Sequence, residues 1–303
     1  MALWGGASVA DQRARAEAAI ADVAALGATD VALVVAWGQH DVTSTELAPT
    51  SATAPDDVVR AAIAAAADHG LRALVFPIVT LDELAAGQWR GTLRPADVGA
   101  WWSGYEKFIL HYARLAADEG AAALSVGSEL GSTEGWRDRW FHLVSRVEKA
   151  FTGELTYSAN WDHYEQVSFW QRLDWIGVNA YFELTDDADA SEAALTRGWR
   201  DHVDALLAYA ADAARPLVLT EVGYPSVDGG AVAPWDYTRA GKVDVEEQRR
   251  AFAAFAAAWD GTALGGAFVW EWGPGGADDR GYAPWGKPAE CVLRGWFGGG
   301  DAD

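Results

Sequence analysis

Ala121-Ala-Ala-Leu-Ser-Val-Gly-Ser-Glu129 is a short apolar run that ends on a carboxylate, and Leu217-Val-Leu-Thr-Glu221 repeats the pattern far downstream. A carboxylate at the end of a buried strand is costly unless it meets a polar, water-accessible site. Two such acids on strands far apart in sequence suggest a general acid/base and a nucleophile acting on one bond, as in retaining glycoside hydrolysis. Whether they can converge depends on the fold.

Outward from these two runs, the chain alternates apolar strands with amphipathic helices. Residues 2–6, 30–37, 71–79, 121–128, 155–159, 173–180, 217–220 and 265–270 read as eight strands. Helices are predicted from Asp11, over 57–69, 96–118, 134–150, 191–213 and 244–259, with a short one at 163–172 and a last one at 288–297. Strands this apolar are buried on both faces, as in a parallel sheet. Eight such units fit a single-domain α/β fold, a (β/α)8 TIM barrel over residues 1–297, with a flexible C-terminal tail at 298–303. No Gly-x-Gly-x-x-Gly or Walker motif follows a strand, which argues against an open nucleotide-binding sheet.

Composition narrows the function. A net charge of −21 argues against a nucleic-acid partner. Cys291 is the single cysteine, so an intramolecular disulfide and a Cys-cluster metal site are excluded; it is expected as a buried thiol in the last helix. The six histidines show no metal-ligand spacing, and neither metal nor cofactor is expected. No apolar run reaches the about 18 residues that a membrane span needs. The start shows no basic n-region or apolar h-region, which leaves a cytoplasmic protein or a secreted one with its leader removed. A monomer is expected.

In a barrel, functional groups gather at the C-terminal ends of the strands. Those ends and the loops after them carry Trp37, Trp89, Arg90, Glu129, Asn160, Asp162, Asn179, Tyr181, Glu221, Tyr224, Trp270 and Trp272. Carboxylates and amides suit sugar hydroxyls, and indoles suit the apolar faces of sugar rings. Strand phase supports this: Glu129 alternates with Gly127, Ser125 and Ala123, and Asn160 with Ser158 and Thr156. Glu271, between two tryptophans, is expected to face outward. Tyr224, three residues after Glu221, is a candidate to hydrogen-bond and orient it. Arg90 could bind sugar hydroxyls or orient a carboxylate.

Five segments, Trp89-Arg-Gly, Val126-Gly-Ser-Glu-Leu, Leu155-Thr-Tyr-Ser-Ala-Asn-Trp-Asp, Ile176-Gly-Val-Asn-Ala-Tyr-Phe and Leu219-Thr-Glu-Val-Gly-Tyr, together resemble glycoside hydrolase family 113. The resemblance implies a clan A barrel with the acid/base on the fourth strand and the nucleophile on the seventh, here Glu129 and Glu221. It implies a retaining enzyme that degrades β-1,4-mannan or manno-oligosaccharides, with Trp89, Arg90, Asn160, Tyr181, Tyr224 and Trp270 lining the sugar site. The chain departs from many clan members at Ser128, where an asparagine usually binds the 2-hydroxyl of the reacting sugar. An exo-acting β-mannosidase, a β-glucan hydrolase or a non-catalytic carbohydrate-binding barrel remain alternatives.

Overall fold

The computed structural model describes residues 1–6 and 8–298, so all but residue 298 of the expected tail lies outside the described residues. The described residues form seven strands and seven α-helices, which alternate except between β4 and β5. In chain order they are α1 (Val9–Ala25), β1 (Asp30–Gln39), α2 (Asp56–Asp68), β2 (Arg72–Leu81), α3 (Val98–Asp118), β3 (Ala123–Ser128) and α4 (Arg137–Val147). There follow β4 (Glu154–Asn160), β5 (Ile176–Asn179), α5 (Glu192–Ala213), β6 (Leu217–Val222), α6 (Val245–Trp259), β7 (Gly266–Val269) and α7 (Pro288–Trp296). The sheet runs in chain order, β1 to β7. The β1–β2, β2–β3, β3–β4 and β6–β7 pairings are parallel.

Seven strands stand where the sequence predicts eight. The expected first strand is two single bridges, Ala2 to Val34 in parallel and Trp4 to Thr53 in antiparallel. The chain there is taken up by the loop after β1. Gly5 donates to Ala52 O at 2.9 Å, and a Cβ on Gly5 would lie 2.3 Å from Ser51 O. Gly6, at φ 99°, then turns out of extended conformation. The predicted helix at 163–172 is two 3-10 turns, Tyr164–Gln166 and Trp170–Arg172.

Two compact units make up the chain. One holds residues 2–21 and 29–177, the other residues 1, 22–28 and 178–303. The first unit's core is aromatic. Trp101, Tyr105 and Phe108 of α3 are fully buried, as are Trp140 of α4, Tyr157 of β4 and Phe169. Trp140 stacks on Phe169 with centroids 4.4 Å apart and meets Tyr157 edge-on at 5.3 Å. Each such side chain contributes about 1.5–3 kcal/mol on leaving water. Asp97 starts α3 by accepting from Ala100 N at 2.9 Å.

The second unit builds its core from α5, α6 and α7. Trp199 meets Phe255 at 5.7 Å and Trp259 at 5.8 Å, and Phe255 meets Trp296 at 4.9 Å. Ser191 and Asp244 cap α5 and α6 through their side chains. Cys291 is exposed rather than buried. Ala289 and Leu293, one helical turn apart, take the inward face of α7, and Cys291 lies about 200° of helical rotation from Ala289.

Candidate active site

Glu129 follows the last residue of β3 and is 6 % exposed. Its backbone is left-handed, φ 55°, a conformation that costs a residue with a Cβ about 1–2 kcal/mol. Its N–H still donates to Ser158 O of β4 at 2.8 Å, so the strand pairing carries through to this residue. Arg90 holds the carboxylate, Nε donating to Oε2 at 3.1 Å and Nη2 to the same oxygen at 2.7 Å. Of the two roles open to Arg90 in the sequence, the structure displays the pairing with a carboxylate. Arg90 opens a short 3-10 turn, Arg90–Thr92, whose Thr92 hydroxyl donates to Trp89 O at 2.9 Å. The ring of Trp89 lies over Gly91, where a Cβ would come within 2.3 Å of it, so only glycine fits.

Beyond Glu129 lies a buried polar chain that sequence reading missed. Leu130 N donates to the Tyr157 hydroxyl at 2.7 Å, which donates to Glu134 Oε1 at 2.8 Å. His163 Nδ1 is 3.3 Å from Glu134 Oε2. Glu134 is fully buried, and burial pushes its carboxyl above the usual range, while Tyr157 and His163 pull it back. Asn160, at the end of β4, donates to Asp162 Oδ1 at 2.7 Å. Ser128 is buried at the β3–β4 junction opposite Ser158.

In the second unit, Glu221 sits within β6, 7 % exposed. Its partner is Tyr181, whose hydroxyl donates to Oε2 at 2.6 Å. Tyr181 meets Tyr282 edge-on at 6.1 Å, and the Tyr282 hydroxyl donates to Pro234 O at 2.6 Å, which ties the loop after β6 to this wall. Tyr224 does not orient Glu221. It is buried, with its hydroxyl accepting from Trp199 Nε1 at 3.0 Å and its ring against Phe252. Asn179 is likewise buried, its Oδ1 accepting from Thr220 Oγ1 at 2.9 Å.

Trp37 packs on Phe108 and His111 of α3, centroids 5.2 and 5.8 Å away, so helix packing accounts for it. Trp270 is half-buried and Trp272 buried. The Trp270–Glu271 peptide is cis. Gly223 faces Trp270 O at a distance no Cβ could share, 2.3 Å. Glu271, expected to face outward, is half-buried, and burial raises its carboxyl pKa. Among the described residues no group of three or more His, Cys, Asp or Glu side chains could hold a metal ion, and no helix is long and apolar enough to cross a membrane.

A parallel β/α sheet that carries two nearly buried glutamates near strand ends, one bonded to an arginine and one to a tyrosine, fits the class of α/β glycosidases. The chain belongs to glycoside hydrolase family 113, whose model matches residues 4–286, and it is a glycoside hydrolase. It is similar to a family 113 β-mannanase from Alicyclobacillus acidocaldarius solved in complex with ManMIm. Identity is 30 %, TM-score 0.84, and coverage 94 % of this chain and 91 % of that one. A second family 113 β-1,4-mannanase, solved as a complex, is 24 % identical with a TM-score of 0.83, covering 94 % and 93 % of the two chains. A family 5 mannosidase from Rhizomucor miehei shares the fold at 11 % identity and TM-score 0.59, over 95 % of this chain and 87 % of that one. No curated protein matches the chain.

Proposed function

We propose that the protein is a retaining β-1,4-mannanase in which Glu221 is the nucleophile and Glu129 the acid/base. One observation carries the assignment: each glutamate stands at the C-terminal end of a strand, nearly buried, with a dedicated partner on its carboxylate, Arg90 for Glu129 and Tyr181 for Glu221. Glu221, ionised, attacks the anomeric carbon, and Glu129 gives its proton to the leaving oxygen. A covalent glycosyl-enzyme forms. Glu129 then takes a proton from water as that water displaces Glu221, and the sugar leaves with its configuration retained. Enzymes of this type hold the two carboxyl groups about 5–5.5 Å apart. The scheme calls on no metal or cofactor.

The two acids have different tasks, and their partners suit them. A nucleophile must stay put and ionised, which a short hydroxyl bond to one oxygen favours. An acid/base must be aimed at the glycosidic oxygen, and Arg90, with Nε and Nη2 both on Oε2, fixes the orientation of the Glu129 carboxyl. Mannan as substrate is supported by the family and by the named activity of its similar members. Trp89 and Trp270 are the candidate ring platforms, with Asn160 and Asp162 for hydroxyls. Trp235, 49 % exposed with Nε1 bonded to Glu183 at 3.0 Å, offers a further indole face for a longer chain.

The test is anomeric NMR of the first products from mannohexaose, with cellohexaose in parallel. Internal cleavage of mannohexaose to β-anomers is expected. Initial α-anomers would overturn the retaining mechanism, preferential cleavage of cellohexaose would overturn mannan, and release of mannose alone would make the enzyme exo-acting.

A further inference from the structure

We infer that Tyr105 and Tyr157 are positioning residues for Glu129, two buried hydroxyls that clamp the chain on either side of it. The inference rests on the reading of Glu129 as the acid/base. Between Ser125 and Ser128 the β3–β4 register shifts, and at Glu129 the backbone turns left-handed. The polar groups flanking this corner meet side chains. The Tyr105 hydroxyl, from α3, donates to Val126 O at 2.7 Å. The Tyr157 hydroxyl, from β4, accepts from Leu130 N at 2.7 Å. The five residues 126–130 thus have phenols at both ends.

Both phenols are almost wholly buried, and burial pushes the pKa of each well above its ordinary value, so each remains a hydroxyl. A phenol has one proton. Leu130 N–H needs an acceptor, so the proton of Tyr157 must go elsewhere, and Glu134 Oε1 takes it at 2.8 Å. Glu134 therefore fixes the direction of the Tyr157 hydroxyl. The clamp leaves no room to drift: a Cβ on Gly127 would lie 2.3 Å from the Tyr105 hydroxyl and 3.1 Å from the Tyr157 ring. A left-handed backbone persists only where its surroundings over-determine it, and here they do so at the residue whose aim matters most.

The test separates aim from architecture by the leaving group. Tyr157→Phe is assayed on 2,4-dinitrophenyl β-mannobioside, which leaves without protonation, and on mannopentaose, which requires it. The clamp predicts a loss in kcat/KM of about 10–100-fold on mannopentaose, part of the about 10²–10⁴ that a placed acid supplies, and little change in formation of the glycosyl-enzyme from the dinitrophenyl substrate. Equal losses on both substrates, or no loss on either, would overturn it. If Tyr157→Phe does not fold, Tyr105→Phe carries the test with the same two outcomes, since it removes only the bond to Val126 O. Glu129→Ala is the control: it should show the same discrimination more strongly, with azide restoring turnover on the dinitrophenyl substrate. Absence of that pattern in Glu129→Ala would refute the acid/base assignment itself.

Discussion

Glu129 and Glu221 both stand near the C-terminal end of a strand, yet they are built differently. Glu221 lies inside β6, in the stretch between Leu219 and Val222 where the pairing with β7 shifts register, and its carboxylate accepts from the Tyr181 hydroxyl. Glu129 lies past β3 on a left-handed residue, held by an arginine fork at its carboxylate and flanked by two phenols on the backbone. Glu221 stays within a paired strand and outside the left-handed region, so the sheet sets its backbone despite that shift. A backbone that leaves the ladder must be fixed from outside. The sheet itself places the proposed nucleophile, whereas the place of the proposed acid/base has to be built by groups around it.

The largest break in that comparison is removal of the acids. Glu221→Gly should cost on the order of 10⁴–10⁶ in kcat on manno-oligosaccharides, and Glu129→Gln about 10²–10⁴, both measured by product release with wild-type enzyme removed by affinity tag. Equal activity of either variant with wild type would end the assignment. Next comes Tyr181→Phe. A hydrogen bond to a charged group is worth about 1.5–3 kcal/mol, so a fall in kcat/KM of about 10–100-fold is expected, read from initial rates.

Tyr224→Phe sharpens the contrast by subtraction. It leaves Trp199 Nε1 without its acceptor in the core, so thermal unfolding should show a loss of about 1 kcal/mol while kcat stays within about twofold. A kcat drop as large as that of Tyr181→Phe would put Tyr224 back beside Glu221.

The smallest effect is a pH dependence. Burial raises the Glu134 carboxyl in the folded state, so as pH rises the unfolded chain releases that proton first. Stability therefore falls as pH climbs from the ordinary carboxylate range through the raised folded value. Glu134→Gln should flatten that part of the Tm–pH curve; an unchanged slope would show that Glu134 stays as acidic as in the unfolded chain.

Much of this was legible in the sequence, and the failures have physical reasons. Strand ends announce themselves where an apolar run meets a carboxylate, which located Glu129 and Glu221. Tyr224 lies two residues past β6, where strand alternation no longer applies, and its side chain turns into the core against Trp199 and Phe252, so its spacing from Glu221 carries no information on where it points. Tyr181 comes from the segment just after β5, a proximity that no spacing within β6 encodes. Trp37 shares its phase with Gln39, and both face α3, where Gln39 Oε1 accepts from Trp101 Nε1 at 2.7 Å. Tyr157 lies between Thr156 and Ser158, on the opposite phase of β4 from Asn160, and its spacing gives no sign of the contact with Leu130. The lost first strand shows that Gly5 and Gly6 suit a close loop contact better than a ladder.

The central claim is that Glu221 forms the covalent glycosyl-enzyme. It is tested most directly by inactivating the protein with 2-deoxy-2-fluoro-β-mannosyl fluoride and locating the label by peptide mass spectrometry. Time-dependent inactivation and a fluoro-mannosyl ester on Glu221 alone are expected. Label on another residue, or an unmodified protein that still turns over mannan, would contradict it.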